Sequence, residues 1–196
     1  MNQSPNIKLF NAILNDNQDL FDSLISNENI DFNYQIKNNL KWKGYTLLLL
    51  AVIFNRFKMV QELLKQKPDN LDRNIPDRWG NTPIIMSVLS GNVEHEEGVN
   101  YSILKLLLED PYVDKGYIKK SNKSDPMTCA LWVEDKTIIE MLLDYDVPVY
   151  WEHLDKWRRD YYNQIIEEYY NPYDPKGTGY LKLLKENPTQ DIKFGE

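Results

Sequence analysis

The feature that most constrains the fold of this chain is an internal repeat. The segments "WKGYTLLLLAVIFN" (42–55) and "DRWGNTPIIMSVLSGN" (77–92) share one pattern. In each, a Gly-x-Thr triplet leads into an apolar segment, with Thr46 in the first copy and Thr82 in the second. A pattern that recurs at this spacing predicts small structural units that bury their apolar surface only by stacking on one another.

Each apolar segment carries a small residue five positions after the residue that opens it. The two clear copies have Ala51 and Ser87 there, and weaker copies toward either end have Ala12 and Ala130. Since closely packed helices leave little room for a side chain, we predict that these small residues are buried between helices. The pattern gives four units of two helices each, at about residues 5–35, 36–72, 73–115 and 116–150.

The predicted helix starts have a consistent chemistry. An oxygen-bearing side chain followed by Pro suits a helix start, because the oxygen accepts a hydrogen bond from a free backbone N–H and Pro has no N–H to leave unpaired. This pair occurs as Thr82-Pro83, Asp125-Pro126 and Ser4-Pro5. Gly44 and Gly80 stand just before two of the helix starts and predict tight turns with a positive φ.

The third unit resembles the ankyrin repeat. The family's Asp-x-x-Gly-x-Thr-Pro opening, and the Gly after its first helix, are matched by Asp77, Gly80, Thr82, Pro83 and Gly91. The resemblance implies an all-α fold, an ankyrin-repeat solenoid of stacked helix-turn-helix units with finger loops, over residues 1–150. The terminal units match less well, as the outer repeats of a solenoid must in order to face water.

The chain departs from the repeat in three places. The usual His of the family's Thr-Pro-Leu-His motif is replaced by Leu49, Ile85 and Cys129, so we expect fewer hydrogen bonds between neighbouring units. The third unit has an acidic insertion, "NVEHEEGVNYS" (92–102), between its two helices. Beyond residue 150 we predict a helical cap and tail (151–196), with one long amphipathic helix at 151–170 that covers the apolar end of the stack.

Composition excludes several classes of function. The chain has 196 residues and a formal net charge of −7, which argues against nucleic-acid binding but is compatible with a basic protein partner. Its single cysteine, Cys129, excludes an internal disulfide and suits the cytoplasm. We expect no secretory signal in "MNQSPNIKLF" and no membrane span, since the longest apolar run (45–54) is about half the required length.

Catalytic and metal-binding signals are weak. The histidines, His95 and His153, have no Ser or Cys nucleophile placed beside them by a motif, and no phosphate-binding or metalloprotease motif occurs. The acidic loop around Glu94–Glu97 is interpreted as a solvated surface, since adjacent residues seldom converge on one metal ion. Asp174 opens an EF-hand-like segment, but Lys176 and Lys185 stand where carboxylate ligands belong. We therefore predict no enzyme activity, metal or cofactor.

The resemblance to ankyrin repeats implies a partner surface on the finger tips and the concave face of the first helices. The positions that family members expose there carry a high proportion of aromatic and basic side chains. They are Trp42, Lys43, Tyr45, Phe54, Arg78, Trp79, Asn81 and Trp132. Trp, Tyr and Arg dominate interface hot spots, so this set predicts a protein-binding surface.

These observations predict a cytoplasmic, monomeric, non-catalytic protein–protein interaction module, an adaptor or assembly subunit that grips a protein partner. An alternative is an inhibitor or immunity-type protein whose acidic concave surface covers a basic enzyme or toxin. Two weaker alternatives stay open: a calcium-responsive regulator using Asp174, and an enzyme of unrecognised substrate using His153 or the acidic loop.

Overall fold

The computed structural model describes residues 4–37, 39, 41–90 and 101–169. The chain divides into two compact units, the first ending at His153 and the second beginning at Leu154, near the predicted boundary at residue 150. That the two segments are separate domains stays a prediction. Each unit is described by itself. Within the described residues there are nine α-helices and no strand, which confirms the predicted all-α class.

The first compact part of the chain, which ends at His153, contains the four repeat units, each of which is a pair of helices. Their bounds are α1 Pro5–Leu14, α2 Gln18–Ile25, α3 Leu47–Ile53, α4 Phe57–Leu64, α5 Pro83–Leu89, α6 Tyr101–Glu109, α7 Pro126–Val133 and α8 Lys136–Asp144. The first helices of the pairs pack in the order α1, α3, α5, α7, and α4, α6 and α8 pack in a second row. The predicted stack of paired helices is confirmed.

The first helices form the core of the stack. Helix α3 is buried from Leu47 to Val52, so it can carry apolar side chains all around its axis. The predicted small positions are confirmed as buried: Ala12, Ala51, Ser87 and Ala130. The Ser87 hydroxyl, the polar group among them, donates a hydrogen bond to the carbonyl of Ile84 at 2.8 Å. A larger side chain at these positions would have to push neighbouring helices apart.

Side-chain caps form at three of the four first helices, two of them at the predicted pairs Ser4-Pro5 and Asp125-Pro126. Side-chain oxygens of Ser4, Thr46 and Asp125 each accept a hydrogen bond from the backbone N–H three residues on. Thr82 occupies the same N-cap position, but its Oγ1 is buried and makes no hydrogen bond in the structure. The missing bond at Thr82 lies within one helix cap, so the expectation of fewer hydrogen bonds between neighbouring units stays a prediction.

Asparagine side chains connect neighbouring units on the loop side of the stack. The Oδ1 atom of Asn33 accepts a hydrogen bond from the N–H of Asp72 at 2.8 Å, and that of Asn74 accepts one from the N–H of Asp114 at 2.7 Å. Each bond joins the loop after one unit to the equivalent loop of the next. Such bonds hold the units in register, since an Asn side chain replaces a backbone partner that the loop lacks.

A buried arginine makes a second connection. The guanidinium of Arg73 donates to the carbonyls of Leu64, Gln66 and Leu71 at 3.0, 2.8 and 2.6 Å. Its Nε also lies 3.2 Å from Oδ2 of Asp110, at the end of α6. Arg73 therefore satisfies free carbonyls around the C-terminus of α4 while pairing with a carboxylate at the end of α6, in the next helix pair.

The second compact part of the chain, which begins at Leu154, contains α9, Lys156–Tyr169. The prediction that one helix runs from residue 151 is wrong at its start: a short 3-10 turn, Trp151–His153, precedes a break, and Asp155 caps α9 by accepting from the N–H of Arg158 at 2.9 Å. Trp157 is 51% exposed, and Tyr162, Ile165 and Ile166 are buried, among the side chains of α9 whose burial the structure describes. That α9 covers the end of the stack stays a prediction.

Candidate functional site

Three loops of the first unit, here called the fingers, each lead into a first helix. They are finger 1 (36–45), finger 2 (77–81) and finger 3 (119–124). Each is closed by a backbone hydrogen bond between its first and last residues, of 3.1, 2.9 and 2.7 Å respectively. Gly44 and Gly80 have φ values of +86°, which confirms the predicted positive φ, and Lys123 adopts φ +59° at the equivalent point of finger 3. We call the fingers, together with the ends of α3 and α7, the finger face.

The fingers are in contact with one another. A Cβ added to Gly44 would lie 3.1 Å from the backbone nitrogen of Arg78, and one added to Gly80 would lie 3.1 Å from Cγ of Lys119. Lys119 Nζ also donates to Oδ1 of Asn81 at 3.1 Å. Glycine is therefore required at Gly44 both for its backbone conformation and for the close approach of finger 2.

Four of the predicted partner-binding residues form a continuous aromatic row. The rings of Trp42 and Phe54 lie 5.1 Å apart, those of Trp42 and Tyr45 5.6 Å, and those of Tyr45 and Trp79 6.1 Å, all in edge-to-face arrangements. The row starts at the end of α3 and crosses from finger 1 to finger 2. Edge-to-face aromatic pairs are the favoured geometry, so the rings hold one another in place.

The members of the row differ in exposure. Trp79 is 47% exposed, and Trp42 and Phe54 are half-buried. Tyr45 was expected to be exposed, and that expectation is wrong: it is only 6% exposed, because its ring lies between those of Trp42 and Trp79. Burial raises the pKa of the Tyr45 hydroxyl, and the charge of Asp77 raises it further. Tyr45 thus supports the row rather than presenting a surface.

The other predicted residues are placed as follows. Lys43 and Arg78 are exposed on fingers 1 and 2. Trp132 is 58% exposed on the last turn of α7, and the ring pairs of the aromatic row do not include it. Asn81 is half-buried, and its amide donates to Asp77 at 3.1 Å, so it stabilises finger 2 as well as contacting finger 3.

Cationic side chains lie over three rings of the row. The guanidinium of Arg78 is 3.9 Å from the ring centre of Trp79, Lys41 Nζ is 4.8 Å from that of Trp42, and the guanidinium of Arg56 is 5.8 Å from that of Phe54. Lys41 and Arg56 are absent from the predicted site. For Lys41 a sequence signal exists, since both finger tryptophans directly follow a cationic residue, in Lys41-Trp42 and Arg78-Trp79. Such contacts orient the rings and keep positive charge beside them.

The exposed charge of the fingers is positive. Their single carboxylate, Asp77, is buried, and its Oδ1 accepts hydrogen bonds from the N–H groups of Trp79 and Asn81 at 2.8 and 2.9 Å. The acidic concave surface that the inhibitor alternative requires does not include the fingers, because the excess of carboxylates lies elsewhere in the chain. A net charge does not give the sign of one face.

The described residues offer little for catalysis. Nδ1 of His153 lies 3.5 Å from Oδ2 of Asp125, but that carboxylate is fully buried and accepts hydrogen bonds from the N–H and the hydroxyl of Thr128 at 2.9 and 2.6 Å. Cys129 is buried, and burial is the main cause that raises the pKa of its thiol to about 12. The contacts of Asp125 are those of a helix cap, and the Cys129 side chain is a core group.

The same described residues contain no cluster of metal-binding side chains. No group of three His, Cys, Asp or Glu side chains comes together there. The acidic loop at Glu94–Glu97 and the EF-hand-like segment at Asp174 lie outside the described residues. Among the helices that the structure describes, none combines the length and apolar character that crossing a bilayer requires.

Comparison with known proteins agrees with this architecture. A family model described as ankyrin repeats (3 copies) matches residues 9–110, slightly more than half of the chain. That range runs from α1 to the end of α6 and includes fingers 1 and 2. No curated protein matches the chain.

Proposed function

This chain belongs to the ankyrin-repeat family, and from that premise we propose that it is an adaptor or assembly subunit that grips a protein partner with its finger face. Ankyrin repeats are generally protein–protein interaction modules and are typically non-catalytic. The observation that carries the proposal is the aromatic row, which begins at Phe54 and ends at the half-exposed Trp79. We further propose that the chain acts as a monomer in the cytoplasm.

The aromatic row is suited to binding because it is ordered before a partner arrives. Trp79 is held on one side by the ring of Tyr45 and on another by the guanidinium of Arg78 at 3.9 Å. A side chain that is already fixed loses little conformational freedom on binding, so more of the interaction energy appears as affinity. Removal of a central Trp at an interface typically costs 2 kcal/mol or more, about a thirtyfold loss of affinity.

The proposed contact residues follow from exposure. Five of the eight predicted residues present their side chains to a partner in this proposal: Trp42, Lys43, Phe54, Arg78 and Trp79. Trp132 extends the surface onto α7, since it is exposed at 58%. Tyr45 and Asn81 act as supports, one beneath the rings and one between fingers 2 and 3.

The inhibitor alternative is less favoured in its stated form. It requires an acidic surface that covers a basic enzyme, whereas the exposed charges of fingers 1 and 2 include Lys43 and Arg78 and no carboxylate. An inhibitor of an enzyme with an acidic surface would be compatible with the finger face. Strong inhibition of a captured enzyme would favour that form of the alternative over an adaptor.

The proposal is tested by affinity capture with matched tryptophan variants. Wild type, Trp79→Ala and Trp157→Ala are immobilised in parallel, and the proteins retained by each are quantified by mass spectrometry. The two tryptophans are similarly exposed, at 47% and 51%, but Trp157 lies on α9. We expect a set of proteins to be lost with Trp79→Ala and kept with Trp157→Ala. Equal loss with both variants, or with neither, would count against the finger face.

The stability of the same variants must be measured beside capture. Because Trp79 is half-exposed, Trp79→Ala should lower the free energy of unfolding by no more than about 1 kcal/mol. A much larger loss would mean that Trp79 is required for folding, and that lost capture reports unfolding rather than contact.

A further inference from the structure

The fingers concentrate positive charge in a chain whose net charge is negative. Seven of their residues are Lys or Arg, and one is a carboxylate. The cations are Lys37, Lys41, Lys43, Arg78, Lys119, Lys120 and Lys123. The whole chain, by contrast, has 23 basic and 30 acidic residues. The positive charge of the fingers is thus a local feature that the overall composition hides.

Carboxylate partners are found for only some of the exposed lysines in the described residues. Lys65 pairs with Glu62 at 2.6 Å and Lys105 with Glu109 at 3.7 Å, whereas among the same residues Lys58 on α4 has no such pair. Within the described residues, no ion pair joins a carboxylate to the exposed finger lysines. These are Lys37, Lys41, Lys43, Lys120 and Lys123.

Like charges on adjacent fingers repel one another, and nearby carboxylates would relieve the repulsion. Here the single finger carboxylate, Asp77, is buried and committed to the turn of finger 2. A partner that brings carboxylates to this surface would neutralise the charges, gain electrostatic complementarity and be steered toward the fingers during encounter.

We infer that the partner segment held by the finger face is an acidic stretch of protein, rich in Asp and Glu, that also carries aromatic side chains. This inference rests on the proposed function and specifies the chemistry of its partner. The aromatic row would receive the rings of the segment, and the lysines on either side would receive its carboxylates. Because cations lie over Trp42 and Trp79, the sites for carboxylates and for aromatic rings are next to each other.

The absence of basic residues from the helices next to the fingers favours an acidic peptide over a nucleic acid as the ligand. Helices α3, α5 and α7 contain no Lys or Arg, so the basic surface ends at the fingers instead of continuing as a track for a phosphate backbone. A short protein segment needs only the finger face itself.

The inference is tested with the full chain and a labelled random copolymer of Glu and Tyr, whose binding is followed by fluorescence anisotropy. Two triple variants are compared. The finger variant is Lys41→Gln, Lys43→Gln, Lys120→Gln, and the control variant on the second helices is Lys58→Gln, Lys65→Gln, Lys105→Gln. Both remove the same charge from exposed positions. A Lys–Tyr copolymer, polyglutamate without Tyr, and an oligothymidylate serve as comparison ligands.

We expect the Glu–Tyr copolymer to bind the wild type more tightly than any comparison ligand. The finger variant should weaken it about tenfold, which corresponds to three exposed charge contacts of modest strength. The control variant should change it less than twofold, and added salt should weaken wild-type binding more steeply than that of the finger variant. Equal effects of the two triples, absence of Glu–Tyr binding, or preference for oligothymidylate or the Lys–Tyr copolymer would overturn the inference.

Failure of this inference is distinguishable from failure of the proposed function. The finger variant is also used in the capture experiment beside Trp79→Ala. If captured proteins are lost with Trp79→Ala but kept with the finger variant, the finger face is a protein-binding surface, and the inference that its partner is acidic is wrong. If both variants keep all captured proteins, the proposed function itself is wrong.

Discussion

Replacement of Arg73 by Met should destabilise the stack more than any other single change to an ion pair. The guanidinium is 2% exposed and its partner Asp110 is 8% exposed, so neither charge is solvated by water. Arg73→Met keeps most of the side-chain volume but leaves the carboxylate buried without its cation. It also leaves the carbonyls of Leu64 and Gln66 without their donor.

The magnitude follows from this geometry. Removing one member of a buried ion pair typically costs 3–5 kcal/mol, roughly, because the remaining charge is uncompensated. A value of about 4 kcal/mol is a large share of the roughly 5–15 kcal/mol that stabilises a typical domain. With a urea dependence of about 2 kcal/mol per molar, the unfolding midpoint should fall by about 2 M.

The assay is urea unfolding of the wild type and three variants, followed by circular dichroism. Lys105→Met is the matched control, since its ion pair with Glu109 is exposed and should be worth no more than about 0.5 kcal/mol. The double variant Arg73→Met, Asp110→Asn removes both charges and should be more stable than Arg73→Met alone by about 1–3 kcal/mol, because no uncompensated buried charge remains. An Arg73→Met variant within about 1 kcal/mol of the wild type would refute this account of the unit interface.

Three further predictions follow from single features of the fold. Gly44→Ala should lower the free energy of unfolding by about 1–2 kcal/mol, because φ is +86° and the new Cβ would lie 3.1 Å from the backbone nitrogen of Arg78. Lys123→Gly should leave the free energy of unfolding unchanged or raise it by up to about 1 kcal/mol, because Lys123 also has a positive φ. Thermal denaturation of both variants checks this pair of predictions. Asn74→Ala should cost about 1 kcal/mol in urea unfolding, since it leaves the N–H of Asp114 without its acceptor, and no change would remove the Asn connection from the account. Burial is the main cause that raises the pKa of the Cys129 thiol in the folded protein from 9.0 to about 12, so the thiol should resist a disulfide reagent at neutral pH until urea unfolds the chain. The stability that the protonated thiol contributes is present below pH 9 and is lost as the pH rises toward 12. Rapid labelling of Cys129 in the folded protein would contradict this prediction.

The fold could be predicted from sequence where chemistry repeats at fixed spacing. The small residues Ala51 and Ser87, and the caps Thr46 and Asp125, mark equivalent points of each unit, so the helix pairs and their core were predictable. The two glycines at positive φ were predictable for the same reason. Lys123 was not, because the third finger keeps the left-handed backbone without keeping the glycine that signals it.

The site was predictable only in part, because contacts between fingers decide exposure. The register placed Tyr45 at an exposed position, but Trp42 and Trp79 cover its ring from two fingers. The positions that ankyrin repeats expose do not include Lys41 and Arg56, whose contacts with the rings depend on side-chain direction. The sign of the finger charge could not be read from the net charge of −7, because that number is a sum over the whole chain and carries no information about position.

In the proposed complex, the aromatic row and its cations contact the partner. Oxidative footprinting of the chain, free and in complex with a captured partner, tests this most directly, because it reports the solvent exposure of each tryptophan separately. Trp79 should lose most of its oxidation in the complex, while Trp157, similarly exposed in the free chain, should keep its own. Protection of Trp157 with Trp79 still fully oxidised would place the partner elsewhere and contradict the account.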